Sequence, residues 1–390
     1  MINKYVLNPV LKKLKEESIY NKMLHNININ TNFIRNGESI LAVSLDNVRK
    51  KIDTWNKNMI GIKPHFAVKS FPDHKICNEF TYFDCASAGE IKMIQQLNKN
   101  TNNIIYANTC KRPIDIQYAL DNKVNLFTLD SVEELEKLQN ISEDVKFLIR
   151  LSVDDSTSKV KFSNKFGVSD LDEYKKIIQK INPRNQLAGF SFHVGSGQDD
   201  EFAYLKAVDK VDFYINYLKF NNKKLYNDLN TIDIGGGFNK KTNLELVYKS
   251  LEDKKKKYNS FNWIAEPGRF FAETSATLFC PIILKKSKNN KTIIVIPNSV
   301  YHSFSSKFYD GFKISCLKNN SDKNNLDKDI EFEEGVIVGD SCDGIDVIYE
   351  GLIPKNFKIG DVLILEDMGA YTYSSSSNFN GFTPPKHIYF

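Results

Sequence analysis

Short segments of this chain carry groups suited to opposite ends of one small molecule. PHFAVKS (64–70) closes an apolar run on Lys69. A lysine drawn partly out of water can lose its proton and hold an aldehyde as a Schiff base. IDIGGG (232–237) and EPGRF (266–270) offer glycines and an arginine suited to a phosphate, with a carboxylate at Glu266. HVGSG (193–197) adds the imidazole of His193 beside glycines, which let backbone N–H groups come close to an anion. An aldehyde, a phosphate and a ring nitrogen that calls for negative charge together describe pyridoxal 5'-phosphate (PLP).

Each segment has a plainer reading by itself. A strand-end lysine commonly snorkels to solvent, and a glycine triplet fits many tight turns. A strand-end histidine is usually structural, Glu266 could be a core glutamate paired with Arg269, and a free cysteine is more often a small buried hydrophobe than a catalyst. Their joint occurrence in one order carries the chemical reading.

These residues need a frame that brings distant segments together. Short apolar runs recur at Pro64–Ser70, Tyr82–Ala86, Ile104–Ala107, Leu126–Leu129, Phe147–Leu151, Leu187–His193, Thr231–Gly235 and Trp263–Glu266. Stretches with helical periodicity separate them, such as 131–141 and 203–218. Eight strands alternating with helices predict a parallel (β/α)8 barrel, an α/β fold that builds its active site at the C-terminal ends of its strands. Lys69, Asp84, Arg150, His193, Gly235 to Gly237 and Glu266 all fall there. After about residue 275 the texture changes to strands joined by turns, as in 292–300, 335–342 and 362–372, which predicts a β-domain. The expected division is a barrel over 41–275 and a β-domain over 276–390, with 318–329 a polar loop.

Composition adds bounds. The 390 residues are 41% hydrophobic and 26% charged, with a net charge of +5, so a folded core is expected and no nucleic-acid partner is demanded. The lysines at 254–257 read as a solvated face. The six cysteines form no CxxC pair, and no Cys/His cluster has zinc-like spacing, so no metal is expected. No signal-peptide core and no membrane-length apolar run stand out, giving the expectation of a cytoplasmic protein without a membrane partner.

In order and spacing, six segments, the four above with FDCASAGE (83–90) and CDGID (342–346), resemble the ornithine decarboxylase group of fold-type III PLP enzymes, over roughly residues 35 to 390. The resemblance implies an alanine racemase-like fold, with residues 1–40 joining the C-terminal β-domain. It implies a His193 ring stacked on the cofactor. It assigns Ser196, Gly236, Gly237, Gly268, Arg269 and Tyr371 to the phosphate, and brings Asp84, Glu90 and Arg150 near Lys69 and His193. A carboxylate at Glu266 keeps the ring nitrogen protonated and the ring a good electron sink, which favours decarboxylation over racemisation. Cys342 is implied to reach in from the other subunit of a homodimer and to protonate the α-carbon, with Asp343 holding the substrate's distal amine and Phe379 at the same interface. A non-catalytic relative would be expected to lack Lys69, Glu266 or Cys342. CDGID argues against a racemase or a diaminopimelate-type decarboxylase.

One segment departs from the family pattern. The resemblance expects a second amine-binding aspartate in a motif like NDGVYGSF, whereas this chain reads PNSVYHSF (297–304), anchored by Val300, Tyr301, Ser303 and Phe304. Asn298 stands for the aspartate and His302 for a glycine. Loss of one of two desolvated carboxylate partners of an ammonium costs about 2–5 kcal/mol. Asn298 suits a neutral amide, and His302 and Lys307 tolerate acidic substituents. The expected substrate is therefore an ornithine acylated on its distal nitrogen, such as N-citrylornithine of siderophore assembly; the alternative is plain L-ornithine, decarboxylated to putrescine for polyamine synthesis.

Overall fold

The computed structural model describes residues 36–142, 145–182, 184–309, 318–319 and 331–390. The implied contribution of residues 1–35 to the β-domain, and the polar stretch beyond 319, lie outside them. The chain divides into two compact units, Val48–Phe271 and a second that joins Ala272–Phe390 to residues before Val48.

The first unit is built on nine parallel strand segments: β1 (Ile62–Pro64), β2 (Phe66–Ala67), β3 (Phe83–Cys85), β4 (Ile104–Tyr106), β5 (Leu126–Leu129), β6 (Lys146–Leu151), β7 (Gln186–Phe192), β8 (Thr231–Asp233) and β9 (Asn262–Ala265). Each pairs in parallel with its neighbour from β2 round to β9. β1 then pairs with β9, so the ring closes. β1 and β2 are one strand interrupted at His65, whose N–H donates to Ala265 at 2.7 Å while that of Phe66 donates to Tyr82 at 2.9 Å. Helices cover the outside, so the strands are apolar on both faces. Ile105, Leu148, Ala188 and Ile264 pack together as one buried cluster. Trp55 is fully buried, meets Phe238 edge-on at 5.0 Å, and donates its indole N–H to Ile62 at 2.9 Å.

Helix caps follow the strands directly. After β3, Ser87 accepts from the Glu90 N–H at 3.3 Å, while the Glu90 carboxylate accepts from Ala86 N–H at 2.6 Å. After β5, Ser131 accepts from the Glu134 N–H at 3.2 Å. Such caps turn the chain sharply at the top of the barrel and leave room for functional side chains.

Two features were not legible beforehand. Lys69 lies in a single 3-10 turn, Val68–Ser70, just past β2. A short antiparallel pair, Ser158–Val160 with Ser196–Gln198, ties the loop after β6 to the loop after β7.

The second unit holds two sheets. One runs Lys318–Asn319, Val362–Leu365, Ala276–Pro281, Ile40–Val43 and Lys386–Tyr389 in spatial order. The other runs Leu284–Lys288, Lys291–Val295, Phe332–Val338 and Val347–Pro354. Ile40, Ala42, Phe279, Val362 and Ile364 form the apolar cluster of the first sheet.

Candidate active site

The barrel collects its polar side chains at the C-terminal ends of the strands. Lys69 reaches Asp84 at the end of β3, Nζ to Oδ2 2.9 Å. Asp84 is buried, and its other oxygen has no hydrogen-bond partner. Glu90 stands nearby, and burial, with Asp84 adding repulsion, pushes its carboxyl up to about 7.

Arg150, near the end of β6, lies among four carboxylates. Burial lowers its pKa, while the charges of Glu266, Asp130, Asp84 and Asp233 act to raise it. Its guanidinium also lies 4.7 Å from the centre of the Phe166 ring. A hub of this kind keeps several buried acids from repelling one another apart.

His193 follows β7. Its Nδ1 accepts from the Gly195 N–H at 3.1 Å, which leaves the proton of the neutral ring on Nε2. Burial, then the positive charges of Arg150 and Lys69, hold its pKa well below the usual value, so the ring is neutral near pH 7.

The glycines following β8 permit close approach. A Cβ on Gly236 would lie 2.6 Å from His193 Nε2 and 3.0 Å from the Glu266 carbonyl. Gly237 has a φ of +104° and its carbonyl accepts from Gln198 N–H at 3.3 Å. A Cβ on Gly268 would meet that of Ser70 at 2.8 Å. Glu266 N–H donates to Gly235 at 2.7 Å, which locks the β8 turn to the end of β9. Asp233 at the tip of β8 accepts from Gly235 N–H at 2.8 Å. Burial raises both Asp233 and Glu266; the charges of Asp233 and then Asp84 push Glu266 up further, and Asp84 adds to the rise at Asp233. Ser196 opens the short strand that follows β7, and Arg269 opens a one-turn helix, Arg269–Ala272, after β9.

These residues fit PLP. Glycines without room for side chains, together with Ser196 and Arg269, would hold its phosphate, Lys69 its aldehyde, His193 its ring face and Glu266 its ring nitrogen. The unpartnered oxygens of Asp84 and Asp233 are acceptors awaiting donors.

The second unit carries the remaining candidates. The Tyr301 hydroxyl donates to Asp343, and Phe379 stacks on Tyr301 at 4.0 Å between ring centres. That hydroxyl, then backbone N–H groups, lowers the Asp343 pKa. Cys342 is exposed and its N–H donates to Asn380 at 2.9 Å. Tyr371 adopts a left-handed φ of +57°, unusual for a bulky residue.

Asn298 requires a correction. It is fully buried, its amide donates to Ser39 and Ser303, and its oxygen accepts from the N–H groups of Ser299 and Ser303. With donors and acceptors engaged inside the unit, Asn298 shapes the turn instead of meeting a substrate. His302 is likewise buried, with Nδ1 beside the Ser299 hydroxyl at 3.3 Å. Three residues escaped sequence reasoning: Asp130 beside Arg150, Asp233 beside Glu266, and Phe162 against His193. Only Asp233 sat in a segment already singled out.

Comparison with known proteins agrees with this chemistry. Residues 45–273 match the family described as "Pyridoxal-dependent decarboxylase, pyridoxal binding domain". A probable ornithine decarboxylase of Dictyostelium discoideum is 33% identical over 87% of this chain and 77% of its own length. The ornithine decarboxylase of Rattus norvegicus is 32% identical over 90% and 80%. Among solved structures, the arginine decarboxylase of Paramecium bursaria Chlorella virus has a TM-score of 0.83 at 28% identity, covering 96% of this chain and all 100% of that one. The lysine/ornithine decarboxylase of Vibrio vulnificus, complexed with cadaverine, has a TM-score of 0.82 at 25% identity, covering 97% and 100%. With the barrel and these matches in hand, the chain belongs to the pyridoxal-dependent decarboxylases and is a PLP-dependent amino-acid decarboxylase.

Proposed function

We propose that the substrate is L-ornithine and the product putrescine, with the active form a homodimer in which a second copy supplies Cys342 and Asp343. One observation carries the substrate assignment. Asp343 is a carboxylate held in its charged state by the Tyr301 hydroxyl and flanked by the Phe379 ring, a setting suited to a distal ammonium on a short aliphatic arm. The relatives named ornithine decarboxylase support the same reading. The acylated substrate first expected rested on Asn298, whose hydrogen bonds are all used within its own unit. That favours plain ornithine.

When bound, PLP supplies the ring that takes up the electron pair released as the α-carboxylate leaves as CO2. The residues do the rest. Lys69 presents its amine at the mouth of the barrel, aimed by Asp84. Neutral His193 offers a flat, uncharged face. Glu266 holds a proton at the position of the ring nitrogen. Gly236, Gly237, Gly268, Ser196 and Arg269 bind the phosphate and so fix the register of everything else. The thiol of Cys342 returns a proton to the α-carbon once CO2 has gone.

The test is CO2 release by PLP-loaded protein with L-ornithine, L-lysine, L-arginine and N5-citryl-L-ornithine at matched concentrations. Ornithine is expected to give the highest kcat/KM, and Asp343→Asn to raise its KM more than it lowers kcat. A tenfold preference for the citryl compound, or for arginine, would overturn the assignment. Mixing inactive Lys69→Ala with inactive Cys342→Ala chains is expected to restore about a quarter of wild-type activity, because random pairing of two chains leaves one intact composite site in half of the dimers. No recovery would sink the shared site.

A further inference from the structure

In the glycine turn after β8, Gly235 to Gly237, the backbone carbonyls are all engaged within the protein. Gly235 accepts from the Glu266 N–H at 2.7 Å, Gly237 from the Gln198 N–H at 3.3 Å, and Gly236 from the Tyr204 hydroxyl at 3.2 Å. Among the described residues, the N–H groups of Gly236 and Gly237 make no hydrogen bond. The carbonyl and N–H of a trans peptide point opposite ways, and the described residues contain no cis bond. Each held carbonyl therefore turns the next residue's N–H away from the group that holds it. Successive N–H groups set in this way make a concavity for an anion.

The middle bond differs from its neighbours. A peptide plane flanked by two glycines turns over easily, because neither side carries a Cβ. The Gly235–Gly236 plane is locked by the backbone at the end of β9. The Gly236–Gly237 plane depends on a side chain, Tyr204, the second residue of the helix Ala203–Asn221. Packing holds that side chain still. Tyr204 is fully buried, and its ring stacks on Phe238 at 4.6 Å and 19°. Phe238 in turn meets Trp55. Burial raises the phenol pKa well above its usual value, so the hydroxyl keeps the proton it donates. Gly236 is buried as well, so its carbonyl is costly to leave unbonded. A Cβ on Gly237 would lie 3.0 Å from the same hydroxyl, so the contact needs a glycine there.

We propose that Tyr204 is a positioning residue for the phosphate: its hydroxyl fixes the Gly236–Gly237 peptide with the Gly237 N–H facing the anion, so that the site is formed before PLP arrives. Tyr204 acts through the glycine turn. The inference rests on the assignment of Gly236 and Gly237 to the phosphate, and it stands whether or not ornithine is the substrate.

The test separates the phosphate from the rest of the cofactor. PLP and pyridoxal, which lacks the phosphate, are titrated by absorbance into the cofactor-free full-length protein. Tyr204→Phe keeps the ring and its stack and removes only the hydroxyl. With the Gly237 N–H no longer held toward the phosphate, PLP should bind about tenfold more weakly and pyridoxal within about twofold of wild type. A tyrosine of purely structural value would weaken both ligands alike. Equal losses for both, or none for either, would overturn the proposal. 4-Fluorophenylalanine at position 204 fills the volume of the hydroxyl without donating a proton; it should give the same result, and it replaces Tyr204→Phe if that variant fails to fold. Amide hydrogen exchange over residues 235–238 of the wild type checks the phosphate assignment separately. PLP should slow exchange there more than pyridoxal does. If it does so and both variants bind PLP as the wild type does, the phosphate assignment stands and the role of Tyr204 falls. If the two ligands slow exchange equally, the phosphate lies elsewhere and both fall.

Discussion

Phe162 stands edge-on to His193, with ring centres 4.8 Å apart at an interplanar angle of 79°. The loop that carries it is anchored by buried Asp155, which accepts from the Phe162 N–H and from the N–H and hydroxyl of Ser163 at 2.9 and 2.7 Å. His193 is thus set in place by packing as well as by its bond to Gly195. An edge-to-face pair contributes about 0.5–1.5 kcal/mol beyond buried area. Phe162→Ala should therefore weaken PLP binding roughly two- to tenfold, and Phe162→Tyr should not. Titration of cofactor-free protein by PLP absorbance measures this; unchanged affinity in the alanine variant would refute it.

Lys69 is the only candidate for covalent attachment among the barrel residues gathered here. Lys69→Ala should lose roughly 10³-fold or more in turnover, and borohydride should no longer fix PLP to the chain. Because the Lys69 side chain is 42% exposed, folding should survive the change. Borohydride-stable labelling of the variant would move the attachment elsewhere.

Glu90 supplies a pH effect on the cofactor-free protein. Its carboxyl is raised from 4.5 to about 7, so between those values the folded chain binds more protons than the unfolded one. Stability from this group is full below about pH 4.5 and is lost as pH rises through 7, by about 3 kcal/mol in all. Glu90→Gln should remove that slope. Urea unfolding at a series of pH values gives the difference between the two proteins, and a parallel pair of curves would count against it.

Asp346 knits two loops of the second unit. It is buried and accepts from Val300 N–H at 2.9 Å, Ser341 N–H at 3.2 Å and the Ser341 hydroxyl at 2.6 Å. Unsatisfied buried donors cost about 1–3 kcal/mol each. Asp346→Ala should lower stability by about 3 kcal/mol or more, and Asp346→Asn by less. Loss of Asp346 also frees the segments bearing Tyr301 and Asp343, so KM for the amino acid should rise. Unfolding curves that overlay those of wild type would rule this out.

The barrel was legible because its strands are sealed on both faces and read as bare apolar runs, from Phe147–Leu151 to Trp263–Glu266. The placement of Lys69, Asp84, Arg150, His193 and Glu266 at or just past strand ends followed from the same pattern. The polar pair Ser158–Val160 and Ser196–Gln198 was invisible, since three-residue strands with mixed side chains carry no period. Asn298 misled for a different reason. A residue type at a motif position says what it can bond, and only the fold reveals that Ser39, Ser299 and Ser303 already do so. That the charge of Asp233 bears on Glu266 depends on register between the ends of β8 and β9, which no local spacing encodes.

The strand Ile40–Val43 lies between Ala276–Pro281 and Lys386–Tyr389, and the whole barrel is encoded between it and the first of these partners. On the ribosome that strand must therefore wait, apolar and unpaired, while the barrel is made. The barrel is the part that can close early, and the sheet is the part exposed to mispairing or chaperone capture until its later strands emerge.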